Sequence, residues 1–238
     1  MANIEYSVVI PIFNEAENLP ELASKLSDIM TSLGQTWELL FVDDGSTDDG
    51  YAVAQGLQKQ YPQIRLLKFD RNYGQTAATA AGIQAAAGNS IITLDADLQN
   101  DPADIPKLVR LLPGHDAVVG WRHKRQDTFV KRVSSKIANW IRNTVTQDSI
   151  RDTGCSLKVF RAEVLKKIPL FEGMHRFLPT LVRMHGGTVI EEMVNHFPRT
   201  KGVSKYSISN RLWRSGLDLF AVRWMKWRFL SYRVIHEA

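Results

Sequence analysis

The first 120 residues alternate between short apolar runs and stretches of helical spacing, and no other feature narrows the fold as much. "YSVVIPIF" (Tyr6–Phe13), "WELLFVDD" (Trp37–Asp44), "IRLLKF" (Ile64–Phe69), "SIITLDAD" (Ser90–Asp97) and "DAVVGWR" (Asp116–Arg122) read as five buried strands. Between them Leu19, Leu22, Leu26 and Ile29 recur at helical intervals, and Tyr51–Tyr61 stops at Pro62. The alanine-rich Gln75–Ala87 closes at Gly88, and Asp104–Leu112 makes a fourth helix. Ser46 and Thr47 stand where they can cap the second helix. Such alternation predicts an α/β fold with a mostly parallel sheet flanked by helices. Ligands of these sheets bind at the carboxyl ends of the strands. Asn14–Glu15, Asp43–Asp44, Arg71–Asn72, Asp95–Asp97 and Arg122 all fall there, which makes one site of five strand ends.

After residue 122 the pattern loosens. A basic loop, "RHKRQDTFVKRVSSK", leads into helical spacing over Val130–Val145, and "DTGCSLKVF" returns to a strand. Ala162–Lys167 and Arg176–His185 read as helices, Thr188–His196 as a strand and "PRTKGVSKYS" as a loop. From Ser209 helical spacing takes over, so residues 1–208 are expected to form the α/β domain and 209–238 an amphipathic helical extension. The net charge of +5 hides a division. Residues 1–120 hold 7 Lys/Arg against 16 Asp/Glu, and residues 121–238 hold 23 against 9, so the halves carry −9 and +14. A basic half points to phosphate groups, and clustered aspartates point to a metal.

Asp95 and Asp97 lie two residues apart, so on a strand they face the same way and repel. A divalent cation between them removes the conflict, and hard carboxylate oxygens suit Mg²⁺ or Mn²⁺, which substrate phosphates then complete. A solvated turn before Pro102 is the plainer alternative for an isolated Asp-x-Asp; four other polar strand ends around it favour the metal.

"VVIPIFNE", "LLFVDDGSTD", "RNYGQTAATAAGIQAA", "LDADLQNDP" and "GVSKY" occur in this order. Together they resemble glycosyltransferase family 2, of the GT-A fold, and within it the dolichyl-phosphate mannose synthase and bacterial polyprenyl-phosphate hexose transferase branch. The resemblance runs from Ser7 to about Asn210. It implies an inverting transfer of a hexose from a nucleotide-diphospho-sugar donor to a polyprenyl-phosphate acceptor. Pro11, Phe13, Glu15, Val42 and Asp44 would line the base and ribose, with Asp43 and Asp44 not separable from sequence. Asp95, Ala96 and Asp97 would meet the ribose and diphosphate, with Asp97, Gln99 and Asp95 holding the metal. Arg122, Arg199 and Lys205 match donor-phosphate positions, and Arg132 and Arg176 approach the acceptor phosphate. Two anionic substrates require such cations, because repulsion must be screened and charge develops on the leaving diphosphate. Lys124, Arg125, Lys131 and Lys136 add a diffuse field. Asp152, in "RDTGCSLK", corresponds to the branch's catalytic base, beside Asp97 as the other catalytic acid. A phosphate monoester has a second pKa near ~6, so the acceptor needs little deprotonation, and Asp152 could instead orient sugar hydroxyls or an arginine.

The remaining features bound the setting. The single cysteine, Cys155, excludes an intrachain disulfide, fits a reducing cytosol and reads as core. The six histidines lack zinc-site spacing, and His175 and His196 fit structural roles as well as functional ones. A basic leader is missing and apolar runs stay short of a membrane span, so a cytoplasmic protein, peripheral on the inner face of the membrane, is expected. Trp213, Leu217, Phe220, Trp224 and Trp227 line one helical face, with Arg211, Arg214, Lys226 and Arg233 beside it. That pattern suits a membrane interface, with packing on the domain or on a dimer partner as the alternative, in which case a separate integral membrane protein would bring the lipid. No nucleic-acid-reading motif accompanies the pI of about 9.3. Guanosine diphosphate mannose and uridine diphosphate hexoses are both open as donors.

Overall fold

The computed structural model describes residues 4–122, 144, 149–198 and 208–230, with side chains in the last segment from 216 onward. The described strands are β1 (Tyr6–Ile12), β2 (Trp37–Asp43), β3 (Ile64–Lys68), β4 (Ser90–Thr93), β5 (Ala117–Arg122), β6 (Lys158–Arg161) and β7 (Val189–Val194). The helices of the first half are α1 (Leu19–Ser32), α2 (Gly50–Gln60), α3 (Gln75–Ala85) and α4 (Ile105–Leu111). One sheet joins the strands in the order β3-β2-β1-β4-β6-β5-β7. Every pairing is parallel except those of β6, which runs antiparallel to β4 and to β5.

Period-two alternation divides the core between the two faces of the sheet. Val8, Ile10, Phe41, Ile92, Val118 and Val159 pack under α1, α2 and α4. Leu19, Leu22, Leu26 and Met30 form the buried stripe of α1. Val9, Ile91, Ala117 and Phe160 face the other way, onto Ile83 of α3 and onto Leu178, Leu181 and Val182 of the helix Leu178–Met184. α3 rides directly on β1 and β2. A Cβ at Gly82 would overlap Val9 Cγ1 and lie 3.1 Å from Val42 Cγ2, so a larger residue there would push the helix off the sheet. This close seating brings the first turn of α3, with Gln75 and Thr76, to the strand ends.

Several elements are shorter than their sequence pattern. β4 ends at Thr93, and the acidic segment after it turns through Leu98 at φ 57°. β6 starts only at Lys158, after a loop built on Asp152 and Gly154. Ser46 and Thr47 do not cap α2: Ser46 Oγ accepts the Asn14 N–H at 3.0 Å, and the Thr47 N–H donates to Asn14 Oδ1 at 2.7 Å. The helix expected from Arg176 begins as a 3-10 turn, Met174–Phe177. The helix Ile208–Arg228 buries Val222 completely and packs Leu219 and Met225 on the second core cluster. Its opposite stripe stays in solvent: Leu217, Phe220, Trp224 and Trp227 are 54%, 69%, 53% and 77% exposed. Among the described residues no helix is long and apolar enough to cross a membrane.

Candidate active site

The site starts where β1 and β2 end side by side, with Pro11 opposite Val42 and Ile12 opposite Asp43. Pro11, Phe13 and Glu15 are half-buried along this rim, and Glu15 accepts the Asn18 amide at 2.7 Å. Val42 is fully buried beneath α3, so only its backbone can face a ligand. Asn14 adopts φ 53° and fastens the rim to the loop after β2 through its bonds to Thr47 and Asp48.

The structure separates the two aspartates that sequence left equivalent. Asp44 accepts from Asn72 Nδ2 at 2.9 Å and from the Tyr73 and Gly74 N–H groups at 2.7 and 2.9 Å. Burial pushes its carboxyl up, partly offset by those two backbone donors. Its work is to hold the loop 72–74, next to Gly45, whose φ of 69° and close approach to Arg71 and Asn72 leave no room for a Cβ. Asp43 accepts the Ser46 N–H at 3.2 Å through Oδ1, while its buried Oδ2 has no partner among the described residues. An unpaired buried carboxylate oxygen is costly unless a ligand supplies the donor.

Past β4, Gln75 Nε2 donates to Asp95 Oδ1 at 2.8 Å, and Ser156 Oγ accepts the Asp95 N–H at 3.2 Å. Asp97 closes a turn by accepting the Gln99 N–H at 3.1 Å, and Ala96 between the two acids is buried. Ser156 also donates to Asn100 Oδ1 at 3.0 Å, so the acidic turn is fastened to the chain entering β6. Burial and then the charge of Asp97 push Asp95 up to about 6, against the pull of Lys158, Ser156 and Arg122. Two carboxylates two residues apart, one raised by the charge of the other, are an arrangement that a divalent cation relieves. Among the described residues no group of three His, Cys, Asp or Glu could enclose a metal. Two carboxylates beside Gln99 nevertheless fit Mg²⁺ or Mn²⁺, which take one or two carboxylates and complete their shell with water and phosphate oxygens.

The cationic side is set by Arg122 at the end of β5. Its Nε and Nη2 donate to Asp152 Oδ2 and Oδ1 at 2.6 and 2.8 Å, and the Arg122 and Gly154 N–H groups add contacts at 3.3 and 3.2 Å. Both side chains are 12% exposed. Burial would lower the Arg122 pKa, but the bond and charge of Asp152 raise it above its ordinary value. Asp152 therefore spends its acceptor capacity on positioning a guanidinium.

Lys158 escaped attention in the sequence, where it is one polar residue inside "CSLKVF". It is 4% exposed, opposite Thr93 of β4 and Val119 of β5, within electrostatic reach of Asp95 and Asp152. Burial pushes its ammonium pKa down, while Cys155, Asp95 and Asp152 pull it back up. The signal was strand alternation: Leu157 and Val159 lie in the first core cluster, which sends Lys158 to the other face with Phe160. Gln75 and Ser156 were missed too, although they stand inside "RNYGQTAATAAGIQAA" and "RDTGCSLK", because neither side chain is a charge or a ligand by itself. His175 meets Thr76 Oγ1 at 2.6 Å and is held down to about 3 by burial, then by the charges of Arg176 and Lys158. Arg176, half-buried, follows it in the chain. Arg132, Arg199 and Lys205, with Lys124, Arg125, Lys131 and Lys136, lie outside the described residues, as does Arg233.

Comparison with known proteins bears on the family and the fold. The model of Glycosyl transferase family 2 matches residues 7–169. Dodecaprenyl-phosphate galacturonate synthase of Rhizobium johnstonii is 40% identical, over 97% of this chain and 69% of that protein. Among solved structures, glucosyl-3-phosphoglycerate synthase from Mycobacterium tuberculosis, in complex with Mn²⁺, uridine diphosphate and glucosyl-3-phosphoglycerate, aligns with a TM-score of 0.71 at 17% identity, covering 94% of this chain and 80% of that one. A mannosyltransferase from Pyrobaculum calidifontis, in complex with GDP-Man and Mn²⁺, aligns at 0.63 and 18% identity, covering 98% and 67%. At such identities the two structures speak for the fold.

Proposed function

Because the chain belongs to Glycosyl transferase family 2 and has the GT-A fold, we propose that it transfers a hexose, with inversion, from a nucleotide-diphospho-sugar to a polyprenyl phosphate. The observation that carries this reading is the meeting of Asp95 and Asp97 with the Arg122–Asp152 pair at one end of the sheet. The 40%-identical relative, named for galacturonate and dodecaprenyl phosphate, supports the lipid-phosphate acceptor. Asp43 offers its unpaired oxygen to a ribose hydroxyl or base N–H, while Asp44 keeps the neighbouring loop in place. Pro11, Phe13, Glu15 and the backbone of Val42 border the same nucleotide. Asp97, Asp95 and Gln99 would hold Mg²⁺ or Mn²⁺, whose chemistry is to stabilise charge on the departing diphosphate.

The acceptor phosphate is largely dianionic at neutral pH and attacks the anomeric carbon without a base. The role of Asp152 is then to aim Arg122 at phosphate oxygens, in a fork that needs no reorganisation during the reaction. Arg176, Arg132, Arg199 and Lys205 carry the remaining phosphate contacts in this reading. The exposed Leu217–Trp227 stripe, with Arg223, Lys226 and Arg228 on the same helix, lays the protein on an anionic bilayer where its lipid substrate resides. Incubation with radiolabelled nucleotide sugars, Mn²⁺ and short polyprenyl phosphates tests the reaction. Label should move into the lipid fraction and stay out of it in D97A; label confined to water-soluble product would reject the acceptor.

A further inference from the structure

Lys158 has no task in the reaction just described. Among the described residues its ammonium makes no hydrogen bond and no ion pair, although it is 4% exposed. The two acids that it feels are committed elsewhere, Asp95 to Gln75 at 2.8 Å and Asp152 to Arg122. An ammonium on a residue so deeply buried, with three donors and no acceptor among the described residues, is a costly arrangement to keep unless a ligand completes it. Within reach of its charge is His175, which is fixed through Thr76 Oγ1, itself the acceptor of the Gly173 N–H at 2.9 Å. This corner lies next to Asp95, where a sugar attached to a diphosphate on the Asp95–Asp97 rim must lie.

Building on the sugar-transfer reading, we propose that Lys158 and His175 form the donor-sugar subsite and that the sugar is a uronic acid, its carboxylate received by the Lys158 ammonium. The charges match. The donor diphosphate is balanced by a divalent ion, and the acceptor phosphate meets the basic second half of the chain. One buried monocation is left, and a sugar carboxylate is one monoanion. A neutral hexose would bring a hydroxymethyl group instead and leave the ammonium desolvated without a counter-charge. His175, neutral near pH 7, accepts or donates one hydrogen bond to a ring hydroxyl without repelling Lys158.

The test is isothermal calorimetry with Mn²⁺ on wild type, K158M and K158R, using paired donors: UDP-galacturonic acid against UDP-galactose, and GDP-mannuronic acid against GDP-mannose. Wild type should prefer the uronic member of one pair by about tenfold or more. K158M should lose about 10- to 100-fold for that ligand and less than about threefold for its neutral partner, the scale of one charge-assisted bond. K158R should retain part of the preference. Equal weakening of both members in K158M would overturn the proposal, as would a wild type indifferent to the carboxylate in both pairs, a comparison that needs no variant to fold. A K158M effect confined to the KM of the polyprenyl phosphate would likewise overturn it, in favour of an acceptor contact. A uronic preference without transfer to any polyprenyl phosphate would defeat the lipid-phosphate reading and leave the Lys158 subsite standing.

Discussion

Replacing Asp152 by asparagine keeps its size and removes the charge on which four N–H groups converge. Two of those come from the Arg122 guanidinium, and bonds to charged groups are worth about 1.5–3 kcal/mol each. With both side chains 12% exposed, the loss also strands a guanidinium in the protein, and breaking such a pair typically costs about 3–5 kcal/mol. We expect D152N to lose about 4 kcal/mol in urea unfolding, which for a chain of this size is roughly 8–16 °C in Tm. R122M should lose a similar amount. The double variant leaves no stranded charge, so it should fall about 2–3 kcal/mol short of the sum of the singles. Activity completes the cycle. If Asp152 works by aiming Arg122, the two single variants and the double lose turnover to a similar degree. Additive stabilities within about 0.5 kcal/mol would refute the pairing argument. D152N losing more than about a hundredfold in kcat while R122M stays near wild type would restore Asp152 as a base.

Other outcomes follow from particular contacts. His175 has a folded-state pKa of about 3 against an ordinary 6.5, so its contribution to stability is complete above about 6.5 and is lost as pH falls toward 3, by up to about 1.4 kcal/mol per unit. Asp95, raised to about 6 from 3.8, acts in the opposite sense, favouring the fold below about 3.8 and losing that contribution as pH rises to about 6. Urea midpoints of wild type and H175Q between pH 4 and 6 should therefore diverge as pH rises, wild type gaining on the variant; parallel curves would contradict the buried neutral imidazole. G45A forces a Cβ against Arg71 and Asn72 at φ 69°, and should weaken nucleotide affinity by displacing the loop that Asp44 holds; unchanged calorimetric affinity would speak against that loop. Glu38 lies at the other end of the sheet, accepting from Ser7 Oγ at 2.5 Å, the Ala87 N–H at 2.6 Å and Arg65 at 2.5 Å. E38A should cost about 2–4 kcal/mol in unfolding while leaving KM for the donor unchanged. Serine at both Trp224 and Trp227 should abolish flotation with anionic vesicles and spare turnover on a detergent-solubilised acceptor; undiminished flotation would move the membrane contact elsewhere.

The layout of the sheet was legible because apolar runs and polar strand ends are local signals. α1 announces itself through Leu19, Leu22 and Leu26, and Asp95–Asp97 stand out because like charges side by side demand a reason. What escaped depends on contacts between distant segments. Asp43 and Asp44 are the same residue type in the same dipeptide, and only the loop 72–74, folding onto one of them, distinguishes them. Ser46 and Thr47 looked like helix caps until Asn14, 32 and 33 residues away, took their bonds. Lys158 read as an ordinary strand position because its burial is decided by β4 and β5 on either side. Of the outcomes expected for the C-terminal helix, packing on the domain is the one Val222 shows, and the tryptophan stripe faces away from it.

The reversed strand β6 has a consequence for how the molecule assembles. β1 to β4 come from consecutive strand–helix units, whereas β6 must slot between β4 and β5, both of which are synthesised before it. Such non-local pairing is slow. Until that insertion happens, the aspartate rim exists without Lys158 or the braced Arg122. During refolding, far-ultraviolet circular dichroism should recover first and affinity for a nucleotide sugar last, because closing the sheet is also what brings its opposite charges together.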